Sequence, residues 1–432
     1  MKRSDFEIMA PVGSYESLRA AIDAGADAVY FGVGKLNMRS RSAANFTVED
    51  LGRIVGIAKR AGIKSYLTVN TILYDEELDD AHRLIDAARR EGIDAIIAAD
   101  LAAILYAHRT GVEVHISTQC NISNSEAVKF YAQWADVMVL ARELNLQQVA
   151  HIARQIAEQR ICGPSGEPVR IEMFAHGALC MAISGRCYLS LHENGCSANR
   201  GACLQLCRRK YTLTDKESGE ALDTDGRYLL SPKDLCTIDL LPQMAEAGVR
   251  VFKIEGRARG AEYVHRAVGC YDRALRAMEA GTYTPELVAR EKERLAEVFN
   301  RGFWNGDYAG APMVERSDRY GSAATRRKVY VGKVTNFYRK LSVAEVLIEA
   351  APLQVGEDIF FLGPTTGLAA QRLDSLRGPD GSPTATARQG DVCAVRTERL
   401  VRRGDSLYKM VPSDSDLHTA GPAREGDEPP KP

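Results

Sequence analysis

The 432-residue chain reads as a TIM-like (β/α)8 barrel followed by a small all-β unit, and three observations predict this. Short apolar, β-branched runs alternate with amphipathic stretches from residue 7 to about 256. One connection within that region is far longer than the others and is crowded with cysteine. From 328 to 411 the pattern changes to short strand-like runs punctuated by glycine.

The eight candidate barrel strands are EIMAPV, AVYFGV, KSYLTVN, AIIAAD, VEVHIST, DVMVLA, VRIEMFAHG and VRVFKIEG. Between them, stretches such as SLRAAIDAGA, DLGRIVGIAKRAG and AHRLIDAARREG carry apolar residues at helical spacing and close on glycine or a small turn. Eight strands joined in this way give a barrel; a doubly wound sheet is the alternative arrangement of the same units. The barrel domain is expected over residues 1–315, with further helices at 261–280 and 285–299. KVYVGKVTNFY, LSVAEVLIE, DIFFLGP, GDVCAVRTE and DSLYKMV then suggest a small β-barrel over 327–412, with GPDGSP as a turn-rich excursion. Residues 413–432 are polar and proline-rich and read as a disordered tail.

Bulk charge is nearly balanced, with 56 basic and 57 acidic residues, so nothing global calls for a nucleic-acid or membrane partner. No apolar run is long enough to cross a bilayer, and MKRSDFEIMAPVGSYESL contains no signal-peptide stretch. A cytoplasmic protein is expected.

Ten cysteines are too few for a disulfide scaffold, and six of them fall between Cys180 and Cys236. Cys162, Cys270 and Cys393 read as core packing. The crowded segment, about 178–247, leaves the seventh strand near His176, and loops at the C-terminal ends of barrel strands build active sites. Six residues separate Cys180 from Cys187, fifteen separate Cys187 from Cys203, and three separate Cys203 from Cys207. Four thiolates suit zinc or an iron–sulfur cluster, and a long uneven loop suits a cluster better than the paired knuckles of zinc sites. Cys180 as a nucleophile with His176 as base is the remaining reading, without any further protease signature such as HExxH or GxSxG. Other polar residues collect at strand ends: Asn70, Asp100, Thr118, Gln119, Arg142, Glu143, Glu255 and Arg257.

EMFAHGALCMAISGRCYLS, SANRGACLQLCRRKYTL, SPKDL and VFKIEGRARGAEYV resemble the collagenase-like peptidase family U32, from APVGSYESLRAAIDAGADAVYFG almost to the end of the chain. The family also contains RNA and ubiquinone-pathway hydroxylation factors carrying a 4Fe-4S cluster. The arrangement is most similar to the branch that makes 5-hydroxyuridine at the tRNA wobble position using prephenate. That resemblance implies cluster ligands at Cys180, Cys187, Cys203 and Cys207, with Cys236 as the alternative fourth, and tRNA and iron–sulfur assembly factors as partners. Strand-end residues are the candidates to serve that chemistry: Arg142, His176 and Arg257 for the carboxylates of an anionic cosubstrate such as prephenate, because arginine pairs bidentately, and Glu172 and Glu255 for orientation or proton transfer. A structural ion-pair ring is the other reading of the same residues. A collagenase-like peptidase, a ribosomal-RNA hydroxylase and a cluster-bearing scaffold remain the alternative functions. The lines VGKVTNFY, LQVGEDIFFLGPTTG and GDVCAVRT resemble the second domain of translation elongation factors, which implies RNA contact through Lys328, Arg339, Lys340, Arg396, Arg399, Arg402 and Arg403.

Overall fold

Every one of the eight apolar runs forms a strand: β1 (Glu7–Pro11), β2 (Ala28–Gly32), β3 (Lys64–Val69), β4 (Ala95–Ala98), β5 (Glu113–Ile116), β6 (Val137–Val139), β7 (Arg170–Gly177) and β8 (Val249–Ile254). They pair in parallel in chain order, and β8 pairs with both β7 and β1, so the sheet closes. The computed structural model describes residues 1–41, 45–222, 228–310 and 315–414. The expected tail lies outside the described residues from 415 onward. The chain divides into two units, Met1–Ala323 and Ala324–Pro432.

Helices α1 (Tyr15–Asp23), α2 (Asp50–Ala61), α3 (Leu78–Glu91), α4 (Leu101–Thr110), α5 (Ser125–Ala132) and α6 (Leu146–Glu158) follow the first six strands. Ser14, Asp100, Asn124 and Asn145 cap four of them by accepting a backbone N–H. After β8 come α7 (Ala261–Glu279) and α8 (Pro285–Ala296). Period-two alternation divides each strand's side chains. Met9, Tyr30, Tyr66, Ile97, Val137 and Val251 form the cluster inside the barrel. Ile8, Val29, Leu67, Ile96 and Phe252 belong to the larger core that includes the helices.

The same alternation along β8 carries Lys253, Glu255 and Arg257 to the barrel mouth, beside Tyr30 and Thr68. On β7 it is interrupted. Lys253 pairs with Phe174 but Ile254 pairs with His176, so Ala175 is an extra residue on β7. A bulge of this kind reverses the facing of the residues beyond it. His176 accordingly turns outward, where Tyr263, Tyr271 and Phe303 surround its ring.

The long insertion contains a short helix (Leu189–Asn194), single turns at Ala198–Arg200 and Leu206–Arg208, a small hairpin, a strand (Asp234–Cys236) antiparallel to the end of β7, and a helix (Leu241–Glu246) leading into β8. It docks on the loops after β2 and β3. The Gly201 carbonyl accepts from the Ser40 hydroxyl at 3.2 Å, and the Asn199 carbonyl accepts from the Ile72 amide at 3.1 Å. Arg200 grips Glu77 with two bonds of 2.8 and 2.7 Å and covers the Tyr74 ring.

The second unit is an eight-stranded antiparallel sheet around Val331, Val346, Phe361, Val395 and Leu407. All five expected strands are present, together with Gly367–Arg372, which the sequence pattern does not mark. GLAAQR has no β-branched residue, and only its pairing with Asp358–Gly363 makes it a strand.

Gly201 makes the docking testable. Its φ is +77°, and a Cβ there would lie 2.2 Å from the Asn37 carbonyl oxygen. Gly195, at φ +63°, has open space where its Cβ would be. Gly201→Ala is expected to lower unfolding free energy by about 2–4 kcal/mol and to speed protease cleavage of the insertion, whereas Gly195→Ala costs only about 1 kcal/mol of backbone strain. Equal urea midpoints for the two variants would remove the close approach as a constraint.

Candidate active site at the barrel mouth

Cys180, Cys187, Cys203 and Cys207 line one cavity of about 180 Å³, and none is in a disulfide. The rest of its wall comes from beyond the C-terminal ends of β2, β5, β6, β7 and β8, including Arg39, Gln119, Arg142 and Glu255. Burial pushes the Cys207 thiol up; Arg208 opposes that shift, and Cys180, Cys203 and Cys187 each add to it. Four thiols within electrostatic reach of one another repel as thiolates unless a cationic centre joins them. The donor set is all sulfur, which fits an iron–sulfur cluster. Among the described residues, no three His, Cys, Asp or Glu side chains gather tightly enough to grip a single ion.

The other cysteines lie elsewhere. Cys236 is buried in the core beside His176 and Tyr271 and lines none of this cavity. Cys196 accepts a bond from Arg41 at 3.2 Å and is also outside the lining.

Next to the thiol cavity lies a smaller one of about 40 Å³, and Met38, Arg39, Gln119, Arg142 and Glu255 belong to both walls. Glu255 Oε1 accepts two bonds from Arg39, at 2.8 and 3.1 Å, and Oε2 accepts from the Tyr30 hydroxyl at 3.1 Å. Burial alone would raise its pKa, but the charges of Arg39, Arg257 and Arg142 outweigh it and hold Glu255 at about 2. Arg257 donates to Asn37 Oδ1 (3.1 Å) and Thr68 Oγ1 (2.9 Å), and burial pulls its pKa down to about 10. Arg142 lies over the Phe174 ring at 3.8 Å and donates to the Ala178 carbonyl at 3.3 Å. The Nε atoms of both Arg142 and Arg257 are buried without a hydrogen-bond partner in the protein. Lys253 pairs with the fully buried Glu172 at 2.7 Å.

Of the residues singled out from sequence, Arg142 and Glu255 share the cavity of Cys180, Cys187, Cys203 and Cys207, and Arg257 lines the adjoining one. Glu172 sits behind them as the counter-ion of Lys253. His176 is apart: it lines neither cavity, its ring is caged by aromatics, and burial lowers its pKa to about 3. The expectation that it holds a carboxylate is corrected accordingly, since a neutral, enclosed imidazole presents no charge to a ligand. Asn70, Thr118 and Gln119 also line the smaller cavity, whereas Asp100 caps α4 and Glu143 lies near Asp307 outside both linings. Arg39, Tyr30 and Lys253 were missed. The arginine pair in NMRSRS, just past β2, was the available signal for Arg39, and the inward parity of β8 was the signal for Lys253.

A (β/α)8 barrel whose insertion brings four cysteines to one cavity beside arginines at the C-terminal mouth is the class of protein defined by these elements. The chain belongs to Peptidase family U32, whose model matches residues 13–318. It is 56% identical over 410 residues to a Porphyromonas gingivalis protein named collagenase, covering 95% of this chain and 99% of that one. It is 33% identical over 393 residues to tRNA hydroxylation protein P1 of Bacillus subtilis, covering 88% and 89%. With tRNA hydroxylation protein P of Escherichia coli it shares 28% over 468 aligned positions, covering 96% and 95%. Among the described residues no helix is long and apolar enough to cross a membrane.

The buried ring and carboxylate fix an acid response. In the unfolded chain His176 takes up its proton near 6.5, but in the fold only near 3, so stability falls as pH drops below 6.5, by at most about 1.4 kcal/mol per pH unit. Glu255, lowered from 4.5 to about 2, adds a loss of the same sign below 4.5. Urea midpoints measured from pH 7 to 4 are expected to decline, and His176→Phe to flatten the segment between 6.5 and 4.5. An unchanged slope in that variant would show that the ring is not buried neutral.

Proposed function

We propose that this chain is an RNA-modifying enzyme that hydroxylates the wobble uridine of tRNA to 5-hydroxyuridine, with a 4Fe-4S cluster and prephenate as cosubstrate. The observation that carries the reading is the shared wall of the two cavities: four thiols on one side, arginines with unpartnered buried donors on the other. Relatives named for tRNA hydroxylation supply the substrate class.

Cys180, Cys187, Cys203 and Cys207 would hold the cluster, loaded by iron–sulfur assembly factors. When bound, it supplies electron-transfer chemistry at the cavity wall. Arg142 and Arg257 would take the carboxylates of the cosubstrate. A buried donor without an acceptor costs about 1–3 kcal/mol, so a dicarboxylate that satisfies both Nε atoms recovers that cost on binding. Glu255 stays charged and orients Arg39 and Tyr30; at a pKa of about 2 it is a positioning group and a poor proton acceptor at neutral pH. Lys253, on the wall of the smaller cavity, has its charge balanced by Glu172.

The relative named collagenase favours a second reading, peptide hydrolysis. The thiol cavity offers it little: its lining includes no histidine, and its one carboxylate, Glu255, is held in an ion pair with Arg39. Release of peptides from gelatin by anaerobically purified protein, abolished by one substitution in the cavity, would establish that activity instead.

Two measurements test the leading reading. Anaerobically purified protein should contain iron and sulfide in equal amounts, with the content falling severalfold in Cys207→Ala and unchanged in Cys236→Ala; zinc without sulfide would sink the cluster assignment. In cells lacking the endogenous activity, the wild-type chain should restore 5-hydroxyuridine in tRNA, and Arg142→Ala or Arg257→Ala should reduce it by about tenfold or more. Full restoration by both variants would remove the arginines from the site.

A further inference from the structure

The sheet of the second unit gathers charges that are dispersed in sequence. Val343 pairs with Arg396, and the Thr397 amide donates to the Ser342 carbonyl at 2.8 Å, so the hairpin tip at 339–342 and the loop at 396–403 lie side by side. Arg339, Lys340, Arg396, Arg399, Arg402 and Arg403 are all exposed there. Glu398 is the one carboxylate in these two stretches, which leaves a local charge of +5 on a chain whose total is -1.

Two neighbouring carboxylates, Glu345 and Asp405, accept bonds from hydroxyl and backbone groups. Glu345 accepts from Thr335 at 2.7 Å and from Tyr338 at 3.0 Å. Asp405 accepts from Thr366 and from the Arg402 backbone amide. Like charges gathered at one end of a sheet repel, and a polyanion relieves that repulsion. Five of the six are arginines, whose planar forks match phosphate oxygens. Tyr338, Leu341 and Leu400, exposed by 44%, 69% and 38%, lie in or beside the same loops. An exposed aromatic among cations provides a stacking face for an unpaired base.

We infer that this end of the second unit is a docking surface for the phosphate backbone of RNA; the choice of RNA among polyanions rests on the function proposed above. Lys328, expected from sequence to share in RNA contact, lies over Tyr408 and belongs to a different part of the sheet. The test uses the full chain and a fluorescein-labelled tRNA transcript, with anisotropy read at several salt concentrations. Arg396→Glu/Arg403→Glu should weaken binding by about tenfold or more and make the log–log salt slope shallower by about two, with Arg396→Gln/Arg403→Gln intermediate and thermal midpoints unchanged. Equal affinity and slope in the variants overturn the surface, as does binding of the wild type to phosphatidylserine vesicles or polyglutamate as tightly as to tRNA. The two proposals separate cleanly. Loss of tRNA binding in the variants alongside a wild type that forms no hydroxyuridine upholds the surface and rejects the hydroxylase, while hydroxyuridine formation with unaffected binding rejects the surface alone.

Discussion

A carboxylate enclosed by three guanidinium groups has to stay ionised, because protonating it would leave those cations facing one another in a confined space. Glu255 is in that position, bonded to Arg39 and Tyr30 and within the field of Arg257 and Arg142. Through it, β2, β6, β8 and the loop after β2 meet at one point. Removing one partner of such a buried arrangement typically costs about 3–5 kcal/mol, since the remaining charges lose their compensation. The barrel mouth is therefore set by electrostatics, whereas the strand layer beneath it is set by packing of Met9, Tyr30, Tyr66 and Ile97.

The insertion depends on that mouth for its own shape. Asn37 bonds Arg257, and its carbonyl stands against Gly201. Arg200 is fixed by Glu77 from the loop after β3. A segment with this little regular structure is held by contacts to rigid neighbours, so the four thiols face the arginines because the loops under them are already in place. The result joins two chemistries in adjoining cavities: sulfur donors suited to a metal cluster and guanidinium donors suited to an anion.

The relatives of this chain carry both collagenase and tRNA-hydroxylation names. Site chemistry is a better guide. Hydrolysis of a peptide calls for a base or an activated nucleophile, and the nearest histidine in sequence, His176, is enclosed and neutral. The cavities contain sulfur and guanidinium donors instead.

The barrel was legible in the sequence because a parallel strand buried on both faces must be apolar, and eight such runs punctuated by helix-ending glycines leave few alternatives. The cysteine segment stood out for the same kind of reason: spacing and crowding are local properties. Arg142, Glu255 and Arg257 could be read as strand-end residues by counting. The outward turn of His176 could not, because one extra residue on β7 reverses its facing, and a bulge is visible only in the pairing with β8. Nor could the partnership of Arg39 with Glu255, two residues separated by 216 positions. The seclusion of Cys236 was equally hidden, since its neighbours, His176 and Tyr271, come from β7 and α7. Sequence determined which elements form and which residue types crowd the mouth. Tertiary structure decided which of those residues share a wall, because that depends on register and on contacts between distant loops.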